Sequence, residues 1–289
     1  MQWFKNTTVE QLRYRYGPAL ARIVVSTSTL RARIRMRRQP VLNVLIDNTI
    51  LAHAITHETA WITTEKVRFG KEEIDLGYAA RIPVRNADDS KEYESISYLP
   101  GIAHLAQSGR LALKTSADLE LERFRQPVGR FSGYGYFDHD LFAGISIQSV
   151  DGIGDIAMGP KWMNLPSAVE QQRERLAKSK DPLYLGLLQH LGPKSSQDAW
   201  HVRTAETTGM FCFLTMDFRL CKTMALRSMQ EPIRSLRTKV MTPAQLGQYI
   251  GLLPVNPMLL SYSDASFPVR PDLHWKDNKR KKPKRTARR

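Results

Sequence analysis

The chain has 289 residues, 42% of them hydrophobic, so it can bury one large core or two small ones. It has no apolar run of the roughly 20 residues that a bilayer-spanning helix needs, and its opening residues lack the apolar stretch of a secretory signal. Two cysteines, Cys212 and Cys221, are too few for a disulfide framework and fit a reducing, cytoplasmic setting.

The net charge of +15 lies at the two ends: residues 1–40 carry +8, residues 271–289 carry +7, and the rest sum to zero. Polycationic segments gain affinity for nucleic acid by releasing counterions. That nominates Arg35, Arg37 and Arg38 in the first segment, and Lys279, Arg280, Lys281, Lys282, Lys284 and Arg285 in the second, as phosphate contacts. The run KRKKPKR also reads as a nuclear localisation signal, and the acid-poor N-terminus as an organellar transit segment.

Residues 1–40 read as a basic N-terminal arm, helical or extended, ending at Pro40. Its mixed apolar and basic stretch VEQLRYRYGPALARIVV suits packing on the body or on an anionic surface. A strand follows over 41–46 and is closed by Asp47, then a helix from Thr49 to about His57. Residues 60–97 alternate polar and apolar around an NADDS turn cluster and read as a hairpin-like insertion. The spacing predicts a helix over 101–108, a strand over 111–114 and a helix capped by Ser116 that carries Glu120 and Glu122.

A second insertion spans about 125–180. Its SGYGYF is a weak likeness of the aromatic motif of RNA-recognition domains, and DGIGDIAMG lacks the glycine spacing of a dinucleotide fingerprint. Two helices follow these motifs, the charged SAVEQQRERLAKS at the end of the insertion and the apolar DPLYLGLLQHLG after it. Residues 197–220, QDAWHVRTAETTGMFCFLTMDFRL, are the most informative. A helix begins at Asp198 and is stopped by Gly209; it feeds a strand over 211–214, apolar throughout as in a strand buried on both faces; Asp217 follows. Past Met229 the chain is proline-punctuated, with a short helix over 243–251.

Two strands that each end in Asp, at Asp47 and Asp217, place carboxylates where open α/β sheets collect ligands. Hard cations such as Mg²⁺ and Mn²⁺ take oxygen ligands, and phosphodiester hydrolysis gains from them. Each acid also has an ordinary role: Asp198 as a helix cap, Asp217 as a turn former, Glu120 and Glu122 as solvated helix charges. His53 and His57, four apart on the predicted helix, lack the Glu of a zinc-protease motif and read as a surface or core pair.

Three blocks in order resemble the PIN-domain ribonucleases, whose bacterial toxin members are the best known. They are IDNTILAHA (46–54), YLPGIAHLAQSGRLALKTSADLELERF (98–124) and the 197–220 block, about 60 residues in all. The resemblance implies a single three-layer α/β/α PIN-like domain with a central parallel sheet over 41–230, carrying the two insertions. A C-terminal extension at 231–270 and the basic tail at 271–289 follow. It implies Mg²⁺ or Mn²⁺ held by Asp47, Asp198 and Asp217 with Glu120 or Glu122, the register between the two glutamates staying open. Thr215 would orient a carboxylate or a bound water.

The implied activity is a metal-dependent endoribonuclease leaving 5′-phosphate and 3′-hydroxyl ends on RNA. A non-cleaving RNA-binding scaffold of the same fold and a DNA-acting nuclease would use the same residues. Toxin members are usually much shorter, and nothing here reads as an antitoxin groove, so an antitoxin-type partner has no support; a homodimer is compatible with the chain.

Overall fold

A computed structural model of the protein describes residues 2–70, 72–88, 90–125, 138–152, 157, 159 and 161–274. The SGYGYF motif, most of DGIGDIAMG and the six nominated tail cations lie outside them.

Two helices open the chain, α1 (Gln2–Ser28) and α2 (Leu30–Arg35), linked through Thr29 in helical backbone conformation. Next come β1 (Leu42–Ile46), α3 (Asn48–Ala54), and an antiparallel ribbon of β2 (Ile55–Phe69) and β3 (Glu72–Pro83). Then follow α4 (Lys91–Gln107), β4 (Leu111–Thr115), α5 (Ala117–Arg125), β5 (His139–Asp140) and β6 (Gln148–Ser149). The chain continues through α6 (Ala168–Ala177), α7 (Pro182–Leu191), α8 (Ser196–Thr207) and β7 (Cys212–Leu214) to α9 (Phe218–Leu226), β8 (Lys239–Met241) and α10 (Pro243–Ile250).

Five strands form a parallel sheet in the order β6-β4-β1-β7-β8, and β5 pairs with β2 beside β3 in a second, antiparallel sheet. Alternation along the central strands explains the layers. Val44, Ile46, Cys212 and Leu214 point into a core shared with α1–α4 and α10. Leu45 and Phe213 point the other way, into a core built from α5–α9. Helices therefore cover both faces of the sheet, the three-layer α/β/α arrangement that the apolar runs of β1 and β7 call for.

Several expectations shift. The helix expected to reach His57 stops at Ala54, because β-branched Ile55 and Thr56 begin β2, where the Thr56 carbonyl accepts from Val84 N at 3.0 Å. The helix expected at 101–108 starts ten residues earlier. Ser90 caps it by accepting from Tyr93 N at 3.0 Å, Glu92 and Glu94 favour its first turn, and Pro100 is accommodated inside it. The helices of the N-terminal arm pack on the body, with Ala21, Val25, Ala32 and Met36 buried in the first core. The sheet also runs past residue 230, since β8 pairs with β7. Gly247 lets α10 meet α4 closely: a Cβ there would lie 2.2 Å from Tyr98 Cδ1.

Candidate functional site

From β1 the chain builds outward through β4 to β6, then returns to add β7 and β8 on the opposite side of β1. The crevice between β1 and β7 is thus where the strand order reverses. Open α/β sheets bind ligands outside the carboxyl ends of their strands at such a point. Asp47 directly follows β1, and Asp217 stands three residues beyond β7. Ile46 is in register with Leu214, so both acids lie at the same end of the sheet.

Two threonine hydroxyls stitch the strand ends together. Asp47 Oδ2 accepts from Thr49 Oγ1 at 2.6 Å and from Thr215 Oγ1 at 2.7 Å. Thr215 Oγ1 in turn accepts from the Asp217 amide at 2.9 Å, and Thr49 Oγ1 from the Met216 amide at 3.1 Å. Thr215 is fully buried, so its hydroxyl has no water as an alternative partner. Asp217 also serves as the N-cap of α9, where Oδ1 accepts from Arg219 N at 2.8 Å and Leu220 N at 3.0 Å.

Asp198 does not cap α8; Ser195 holds that position and Asp198 is the third helical residue. Burial raises its carboxyl above the ordinary range, and the charges of Asp217 and Asp47 push it the same way, while His201 and Ser195 oppose them. His201 lies three residues on, on the same helix face. Burial disfavours its protonation, but the hydrogen bond and charge of Glu122, with Asp47 and Asp118 behind it, raise it above the usual imidazole range.

Glu122 Oε1 meets His201 Nε2 at 3.2 Å, which turns this glutamate toward α8; half-buried Glu120 takes no part in that contact. A third acid of SADLELERF is structural. Asp118 is buried, accepts from Gln172 Nε2 at 3.1 Å and pairs with Arg175. Thr49, Asp118 and His201 escaped the sequence reading. Thr49 two after Asp47, matching Thr215 two before Asp217, and His201 at helical spacing from Asp198 are the signals that could have found those two, whereas Asp118 is marked only by its remote partners Gln172 and Arg175.

The histidine pair is dispersed. His53 Nε2 contacts Glu92 at 3.1 Å, whereas His57 is buried in β2, between the Thr56 and Ser261 hydroxyls. Arg35, Arg37 and Arg38 are exposed, with Arg35 Nη1 donating to the Tyr249 carbonyl at 2.8 Å.

The donor set of the acidic crevice, three Asp and one Glu, is all hard oxygen and suits Mg²⁺ or Mn²⁺. Its geometry is open. Among the described residues no group of three or more His, Cys, Asp or Glu side chains is arranged to hold a metal ion. Asp47, Asp217 and Glu122 each spend an oxygen on a protein partner. No family model, curated protein or solved structure matches the chain.

Proposed function

We propose that this chain is a metal-dependent endoribonuclease of the PIN-like kind. The observation that supports the reading is that Asp47 and Asp217 lie at the same end of the sheet, at the strand-reversal crevice, and that their charges reach the carboxyl of Asp198. Asp47, Asp198 and Asp217 would hold the divalent cation, with Glu122 at the rim. Bound there, Mg²⁺ or Mn²⁺ supplies polarisation of the phosphoryl group and a more acidic attacking water. Thr49 and Thr215 fix the rotamer of Asp47, and His201 holds Glu122 beside α8. The exposed arginines after α2 and the basic tail would contact RNA phosphates.

Asp217→Asn tests this reading without dismantling α9, because the Asn amide oxygen can still cap the helix. RNA cleavage in Mg²⁺ or Mn²⁺ is expected to be lost while RNA binding is kept or tightened. Undiminished cleavage by the variant, or by the parent in EDTA, would overturn it; preference for single-stranded DNA in the same assay would move the substrate.

A second reading, a non-cleaving RNA-binding scaffold, is favoured by the protein hydrogen bonds that already engage Asp47, Asp217 and Glu122. RNA binding by the parent chain with no cleavage in Mg²⁺ or Mn²⁺ would select it.

A further inference from the structure

α1 is apolar on two opposite faces. One face, through Gly17, Ala21 and Val25, lies against the body and continues into Ala32 of α2 and Met36 just beyond it. The other carries Val9, Leu12, Tyr16, Leu20 and Ile23, continued in α2 by Leu30 and Ile34; all seven are between 46% and 67% exposed. Their intervals of three, four or seven residues keep them within a strip roughly 80° wide and roughly 38 Å long, at 100° and 1.5 Å per residue. Scattered exposed aliphatics need no explanation, but a strip of this length, interrupted by Thr27 alone, does.

The borders of the strip are cationic. At the same pitch Arg13 and Arg31 flank one side and Arg15, Arg22 and Arg33 the other, all exposed. The sole acid of the first forty residues, Glu10, is engaged by Arg13 Nη1 at 2.9 Å and by the Tyr262 hydroxyl at 2.6 Å. An open hollow of about 450 Å³ lies among Leu30, Arg31, Ile34 and Arg35 at the far end.

We infer that this outer face of α1 and α2 docks on an anionic lipid surface. Charge complementarity selects that occupant. A second copy laid on the same face would bring arginine against arginine. RNA would satisfy the arginines but leave six aliphatic side chains against phosphate and sugar, with Tyr16 alone able to stack on a base. A layer of anionic headgroups over acyl chains matches both the cationic borders and the apolar strip. No helix among the described residues is long and apolar enough to cross a membrane, so the contact is a surface one.

The test is co-sedimentation of the full-length chain with vesicles of phosphatidylcholine alone and of an equal mixture with phosphatidylglycerol. The comparison is with Leu20→Glu/Ile23→Glu, whose positions lie outside both cores. Binding to the anionic vesicles is expected to weaken at least about tenfold in the variant, since burying one such side chain is worth a factor of ten or more. The same drop is expected in a Lys279→Ala/Arg280→Ala/Lys281→Ala/Lys282→Ala background, which separates this face from the tail, and with an unchanged circular-dichroism melt. Equal vesicle binding by parent and variant, or no binding by the parent, overturns the proposal. So does a parent that light scattering shows to be a dimer dispersed by the two glutamates, or one in which they weaken RNA binding alone.

Discussion

Thr215→Val isolates the link that joins the two strand ends. The substitution keeps the buried volume and removes the hydroxyl that donates to Asp47 Oδ2 at 2.7 Å and accepts from the Asp217 amide at 2.9 Å. Losing a hydrogen bond to a charged group costs about 1.5–3 kcal/mol, and an amide left unpaired costs about 1–3 kcal/mol. Asp47 keeps its bond from Thr49 and is partly exposed, so water recovers part of the first amount. A net loss of about 2–4 kcal/mol follows, read by urea unfolding. Thr215→Ser restores both bonds at the expense of one methyl, about 1 kcal/mol. Because Thr49 and Thr215 share one oxygen, the Thr49→Val/Thr215→Val pair is expected to be non-additive by about 1 kcal/mol. A loss below about 0.5 kcal/mol for Thr215→Val, or strict additivity with Thr49→Val, would refute the stitched crevice.

Burial, reinforced by Arg81, holds His139 down at about 4 and His57 well below the ordinary imidazole value. Their contribution to stability is complete above about pH 6.5 and is lost as pH falls toward the folded values. At roughly 1.4 kcal/mol per pH unit, His139 alone removes about 3 kcal/mol by pH 4, and His139→Gln should flatten the acid limb of the melting curve. Glu122→Gln removes the hydrogen-bonded charge that raises His201, so the imidazole should titrate at lower pH by NMR; an unmoved titration would detach Glu122 from the site. Deleting residues 276–289 removes nine basic groups and one acid. If the tail touches RNA phosphates, the slope of log affinity against log salt should flatten by roughly 0.7 for every phosphate that the tail neutralises on a single strand, with single-turnover cleavage at saturation retained. An unchanged slope would leave the tail to localisation or protein binding.

The strands were legible because parallel pairing writes itself as short apolar runs. Val44 to Ile46 and Phe213 with Leu214 could only be buried on both faces, and an Asp beyond each had to fall at the same sheet edge once the strands were parallel. The helix of α8 was legible through Gly209, whose φ of 67° ends it. Other features depend on partners remote in sequence. Whether Asp118, Glu120 or Glu122 faces the crevice is decided by Arg175 and His201, more than fifty residues away. The start of α4 was hidden because residues up to 97 were read as part of a hairpin-like insertion; Ser90 and the acids after it start the helix there and outweigh the amide that Pro100 lacks. The outer strip of α1 was visible only as mixed apolar and basic residues, because its two apolar faces separate only when the body covers one of them.

Asp198 offers the sharpest separation of structure from function. Its carboxyl is raised above the ordinary value by burial and by the neighbouring charges of Asp217 and Asp47. An acid raised in the fold destabilises that fold when ionised: the effect is absent below the unfolded value near 4 and complete above the folded one. At neutral pH in EDTA, Asp198→Asn should therefore melt higher than the parent, opposite to the usual direction for a substitution at a partly buried, hydrogen-bonded position. Adding Mn²⁺ should reverse the order. A cation that binds the folded parent stabilises it by about 2.7 kcal/mol at a hundredfold excess over its dissociation constant, and the variant, short of one carboxylate, gains less. Thermal melts of both proteins across an Mn²⁺ series measure the two effects separately. A variant that melts lower in EDTA would make Asp198 an ordinary first-turn acid of α8. A parent that Mn²⁺ leaves unmoved would take the cation, and the hydrolysis that depends on it, away from this crevice.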